Sequence, residues 1–143
     1  MVWIFFLPSP FLPLDSILLA TLPYGKQIIA NIDGGHFEGP NIKGTVQPPA
    51  GNWLSIQADN SVQLDVRVSL VGGDNTLIYM SYQGLRAGQP SVFDPLAARE
   101  DVNPREYYMR TICKFKTADG KYDWLNQLLA AITGQRFPDL AYK

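Results

Sequence analysis

At 143 residues, 46% of them apolar and only 17% charged, the chain has material for one packed domain spanning 1–143 and too little for two ordinary ones. Its formal charge of −1, with both signs interspersed and no basic stripe, removes the electrostatic ground for a nucleic-acid partner. A lone cysteine, Cys113, cannot close an internal disulfide, so the default location is a reducing cytoplasm.

The first segment, MVWIFFLPSPFLPLDSILLATLP, is apolar but interrupted by Pro8, Pro10 and Pro13, carries Asp15 and lacks a basic leader. A membrane span needs roughly 20 predominantly apolar residues, so neither a span nor a membrane partner is expected. Residues 3–6 and 17–22 are expected on the sheet or at a contact between copies of a homo-oligomer, with residues 1–13 loosely attached.

From there the period is mostly two. KQIIANI, GGHFEG, NIKGTVQ and NWLSIQAD read as short strands separated by Gly, Pro and Asn. In SVQLDVRVSL, Val62, Leu64, Val66, Val68 and Leu70 share one face, and Gln63, Asp65, Arg67 and Ser69 the other. VGGDN then supplies hairpin-turn residues before NTLIYMSYQG, so these two strands are expected to pair antiparallel. Residues 83–106 hold three prolines and little periodicity, which reads as a long loop of the kind that often covers a site. YYMRTICKFKT reads as a further strand. Trp124, Leu125, Leu128, Leu129 and Ile132 recur at helical spacing and, on pattern alone, favour a helix over 122–132. Many short strands with turn signals indicate an antiparallel barrel or sandwich.

No dinucleotide or phosphate-loop spacing accompanies the glycines around His36, and glycines at this density between β-formers more often permit bulges and bends. His36, the only histidine, lacks the neighbours of a metal site, so no metal is expected; as an imidazole it is a reserve general base. On an open sheet Asp65 and Arg67 are a solvated pair, whereas in a closed barrel the same face can point into an apolar cavity. Arg110 and Tyr79 stand in aromatic-rich strands, where an arginine commonly meets a carboxylate or a ligand oxygen. Cys113 reads as buried filler, and Trp53, Tyr108, Phe115 and Trp124 as core or cavity-wall aromatics.

GGHFEGPNIKGTVQPPAGNW, VQLDVRVSL, TLIYMSYQG, YYMRT and YDWLNQLLAAITGQRF, in this order, resemble the DUF3237 family, also catalogued as UPF0311, over residues 24–137. The resemblance implies an all-β, antiparallel, lipocalin-like (calycin-type) barrel with an interior pocket and one short helical turn. It also implies that YDWLN is that turn and LLAAITGQR a strand, which replaces the all-helix reading. Asn52-Trp53 stands where the family commonly has Asp-Trp, which removes a carboxylate from that corner. Asp59-Asn60 and Asp74-Asn75 replace Asp-Gly turns, a mild change because Asn tolerates positive φ. The chain ends short of the closing strand usual in relatives, leaving a less sealed barrel or one closed by the N-terminal segment.

Some fungal members of the family are associated with cofactor-free ring closure in polyketide tailoring. The expected function is therefore a cofactor-independent cyclase, isomerase or lyase acting on a hydrophobic aromatic or polyketide-like molecule, with orientation supplying much of the rate. Asp65 is the expected general acid or base and Arg67 its tuning partner. Arg110 would stabilise an oxyanion, Tyr79 would relay a proton, and His36 is held in reserve. Trp53, Tyr108, Phe115 and Trp124 would bind the substrate. The competing expectation is a non-catalytic carrier of a hydrophobic metabolite, which needs the same walls.

Overall fold

The computed structural model describes residues 4–6, 17–98 and 100–134, and most of them belong to antiparallel strands. The strands are β1 (Ile4–Phe6), β2 (Ile17–Leu22), β3 (Gly25–Asn31), β4 (His36–Glu38), β5 (Lys43–Gln57), β6 (Val62–Gly72), β7 (Leu77–Gly88), β8 (Tyr107–Lys116) and β9 (Leu129–Thr133). They form one sheet in the order β1-β4-β5-β6-β7-β8-β9, with β3 on the second half of β5 and β2 outside β3. The all-β antiparallel expectation holds. Among the described residues no ladder joins β9 back to the far edge, so the sheet is barrel-like and not closed.

β5 unites NIKGTVQ and NWLSIQAD, which read as two strands in sequence. Its first half pairs with β4 and its second with β3, and the register slips between Gln47 and Gly51 where Pro48 and Pro49 intervene. Proline cannot donate to a ladder, so it is tolerated at such a bulge and the strand bends there without ending. Gly44 lets β6 approach closely, because a Cβ at that position would lie 1.9 Å from the Val71 carbonyl oxygen. The turns behave as the side chains dictate: Asn60 and Asn75 both sit at φ 63°.

Two segments differ from what pattern alone suggests. β7 continues through Gly88, and Pro90–Ala97 then forms the helix α1, inside what read as a loop. Pro90 in its first turn is compatible with a helix start, and Val92 and Leu96, four apart, pack with Val102 and Tyr107. Residues 122–132 divide instead of forming one helix. Gly120–Gln127 is a 3₁₀ helix followed directly by β9, as the family resemblance implies. The side chain of Asn126 receives the Thr117 N–H at 2.9 Å and donates to the Thr117 carbonyl at 3.0 Å, tying this turn to the end of β8. Asp74, in the β6–β7 turn, accepts hydrogen bonds from Lys121 Nζ and Tyr122 Oη, each at 3.0 Å. These ties, with Leu125 buried against the core, hold the segment as a short turn.

Alternation sorts the side chains into two faces. Val46, Val66, Val68, Leu70, Ile78, Met80, Cys113 and Phe115 meet Phe37, Tyr122 and Leu125 in the main core. Each such aliphatic or aromatic side chain contributes about 1.5–3 kcal/mol when fully buried. Two separate clusters flank it, one around Ile28, Ala30, Leu54 and Val62, the other under α1.

Candidate functional site

Parity on β6 to β8 settles which side of the sheet each candidate occupies. Asp65 lies opposite Gln83, Arg67 opposite Ser81, and Tyr79 opposite Ser69 and Lys116, all on the outer face. Arg67 Nη2 is 3.8 Å from Asp65 Oδ2, with the two side chains 55% and 34% exposed, so the pair is solvated. The Arg67 guanidinium also lies 5.3 Å from the centre of the Trp53 ring. Trp53, Arg67 and Tyr79 line a groove of about 450 Å³ at the β5 bend, walled also by Ile29, Pro49 and Ser69.

The other candidates are scattered. Arg110 donates to the carbonyl of Met109 at 2.9 Å and lies 5.1 Å from the ring of Tyr108, an exposed residue on the outer face of β8. His36 is half-buried on β4, opposite Thr45 and Phe6. Phe115 is buried in the main core, and Trp124 packs half-buried against it. The structure thus brings Trp53, Asp65, Arg67 and Tyr79 together outside the sheet, and leaves His36, Tyr108, Arg110, Phe115 and Trp124 apart from them.

The inner face carries polar groups that the sequence reading passed over. Across the strands run the rows Asn52, Val66, Tyr82, Cys113 and Ala130, then Leu64, Gly84, Thr111 and Ile132, then Val62, Arg86 and Met109. Gly84, at the middle, places no side chain between Tyr82 and Arg86, whose Cα atoms are roughly 13 Å apart along the strand. A Cβ there would come within 2.3 Å of the Arg110 carbonyl oxygen, so the close approach of β7 and β8 requires glycine. Asn52 and Thr111 are buried, while Leu64, Tyr82, Arg86, Met109 and Ile132, facing inward between the three core clusters, are half-buried. The signal was present in the alternation: Ile78 and Met80 set a parity that Tyr82, Gly84 and Arg86 continue.

Burial tunes these groups. It pushes the Tyr82 phenol well above the usual tyrosine range, with nearby Cys113 adding to the shift, so the hydroxyl stays protonated. Burial likewise lifts the Cys113 thiol to about 11, against a smaller opposing hydrogen bond from Thr111, so it is no thiolate nucleophile near neutrality. Burial lowers Arg86, opposed by Tyr107, yet a guanidinium remains cationic. Asn52 Oδ1 accepts the backbone N–H of Asp65 at 3.2 Å, and its amide nitrogen supplies two further donors. At neutral pH the inner face therefore presents hydrogen-bond donors and one cation among apolar walls. Among the described residues, no group of three or more His, Cys, Asp or Glu side chains stands close enough to hold a metal.

This architecture defines a class, the antiparallel β-barrel-like proteins with a polar patch set into an apolar inner face. The family model described as "Protein of unknown function (DUF3237)" matches residues 10–142, and the chain belongs to that family. A UPF0311 protein of Rhodopseudomonas palustris is 29% identical over 115 residues, covering 80% of this chain and 75% of the relative. Among solved structures, a β-barrel-like protein of Acinetobacter baumannii is 31% identical with a TM-score of 0.78, covering 95% of this chain and 85% of that one. A conserved R. palustris protein is 25% identical with a TM-score of 0.83, covering 96% and 89%. A structure described as an enzyme from Penicillium herquei shares the fold at a TM-score of 0.65 and 18% identity, covering 94% and 84%.

Proposed function

We propose that the protein binds an aromatic or polyketide-like small molecule carrying a phenolic or carboxylic oxygen against the inner face of its sheet. The observation that carries this reading is the clustering of Asn52, Tyr82, Arg86 and Thr111 around Gly84 on an otherwise apolar face. Apolar walls with a few convergent donors describe a small-molecule site, and a cation removed from bulk water binds an oxyanion more strongly than an exposed one. The outer groove ranks second because Arg67 is more than half exposed there and water competes for it.

Conversion of the ligand is the second reading, and the description of the P. herquei neighbour as an enzyme favours it. Asp65 is a poor acid or base for this inner site: its carboxylate is on the outer face, and only its backbone N–H reaches Asn52. A cyclisation here would run on orientation, with Arg86 and the Tyr82 hydroxyl stabilising charge as it develops on oxygen.

Incubating the protein with a metabolite extract, beside a heat-inactivated control, and analysing it by mass spectrometry tests both readings. A compound retained by wild type and held about 10–100-fold more weakly by Arg86→Gln supports the binding site, that factor matching the loss of a charge-assisted hydrogen bond. A new peak of unchanged mass supports cyclisation or isomerisation. Retention unaffected by Arg86→Gln but abolished by Trp53→Ala would move the site to the outer groove.

A further inference from the structure

Seven large hydrophobic side chains are exposed on the outer face: Trp53, Leu77, Tyr79, Leu85, Tyr108, Ile112 and Leu129. Tyr24, in a turn, is exposed as well. Six of the seven lie on β7, β8 and β9, and Leu77, Ile112 and Leu129 are each more than half exposed, at 67%, 56% and 65%. Between them on β8 run Arg110, Lys114 and Lys116, whose positions lie opposite Leu85, Ser81 and Tyr79 on β7. The outward positions of β7 to β9 include no Asp or Glu, although the whole chain carries a net charge of −1. Positive charge and exposed aliphatic surface are thus collected on one side of the sheet.

An exposed apolar patch of this kind marks an interaction surface, and its chemistry selects the occupant. A second copy docked face to face about a twofold axis would set this basic row near its own copy, at an electrostatic cost. A single-stranded nucleic acid rewards aromatic platforms, but gains little from Leu77, Ile112 and Leu129. An anionic bilayer surface uses both features: aliphatic and aromatic side chains enter the headgroup boundary while lysine and arginine meet the lipid phosphates. We propose that the outer face of β7, β8 and β9 docks on anionic phospholipid membranes. Such docking needs no transmembrane element, and no helix among the described residues is long and apolar enough to cross a membrane. It also bears on the binding reading, since a carrier or enzyme for a hydrophobic molecule gains by meeting it at a lipid surface, yet it stands on a different face and different residues.

Co-sedimentation of the whole chain with vesicles tests this. The expected result is binding to phosphatidylcholine–phosphatidylglycerol vesicles in a three-to-one ratio, little binding to pure phosphatidylcholine, and release at high salt, where screening shortens to about 3 Å at 1 M. Replacing Arg110, Lys114 and Lys116 together by Gln should weaken partitioning roughly 100-fold, about a factor of five per lost cation. Circular dichroism checks that this variant folds, and Ile112→Ser with Leu129→Ser tests the apolar half separately. Absence of binding to the acidic vesicles, or equal binding to neutral ones, overturns the proposal. So does a dimer, seen by light scattering, that Ile112→Asp splits into monomers, because a second copy would then be the occupant.

Discussion

The inner and outer faces of β7 are set by residues that alternate along one strand. Ile78 and Met80 turn into the core, while Tyr79 between them is exposed and Lys116 lies 6.0 Å from its ring. Chemistry that looks alike in sequence acquires opposite properties on the two faces. Arg86 faces inward, where burial weakens its hold on the proton, whereas Arg67 faces outward in a solvated pair with Asp65. Polar character along a strand is therefore weak evidence for a site until the side it faces is known. An inward donor is desolvated and selective, and an outward one exchanges its partner with water.

The contrast can be broken most forcefully in the core. Leu70→Ala, at a fully buried position, should cost about 2–5 kcal/mol of unfolding free energy, while Leu77→Ala on the outer face should stay within about 0.5 kcal/mol. Urea denaturation measures both, and similar losses would mean that the faces are wrongly assigned. Cys113 gives a chemical reading of the same boundary. With its thiol raised to about 11 from 9.0, its thiolate fraction at pH 8 falls about a hundredfold, and alkylation should slow at least that much until the protein is unfolded. Gly84→Ala should destabilise by about 1–3 kcal/mol, because the new methyl meets the Arg110 carbonyl and Thr111 Cγ2 between strands that have little room to separate.

Two smaller effects belong to exposed charges. The hydrogen bonds from Lys121, Thr76 and Tyr122 hold the Asp74 carboxyl well below its ordinary 3.8. A depressed carboxyl stabilises the fold above its unfolded pKa and loses that contribution as pH falls through the folded one. Asp74→Asn should therefore lower stability at pH 7 and flatten the decline seen between about pH 4 and lower pH, as followed by thermal melts across an acid series. Smallest of all, a double-mutant cycle on Asp65 and Arg67 should return less than about 1 kcal/mol and shrink in salt. A larger, salt-resistant coupling would make that pair the better candidate site.

Much of the fold was legible because alternation and turn chemistry act locally. The β6–β7 hairpin, the positive-φ asparagines and the all-β class follow from neighbours a few residues apart. α1 was hidden because Pro90 and Pro95 read as breakers, although proline is compatible with a helix's first turn and Val92 and Leu96 needed only the surface of Tyr107 and Val102 to pack against. The single long β5 was hidden because a Pro-Pro step reads as a strand end until a bulge in β5, opposite β6, accommodates it. Helical spacing over 122–132 misled because propensity is a weak prior, and the ties from Asn126 and Asp74 override it.

The sequence by itself determined which residues of a strand share a face, since a period of two is a property of the extended backbone. It also determined where the chain turns, since Gly and Asn accept conformations that other residues resist. Only the tertiary structure decided that the polar side of β6 looks outward and that Tyr82, Gly84 and Arg86 meet Asn52 and Thr111 on the inner side. Those meetings depend on pairings between residues 14 to 31 positions apart, such as Asn52 opposite Val66 and Tyr82 opposite Cys113. They depend too on where the apolar area of the whole chain is buried, a quantity that no single strand contains.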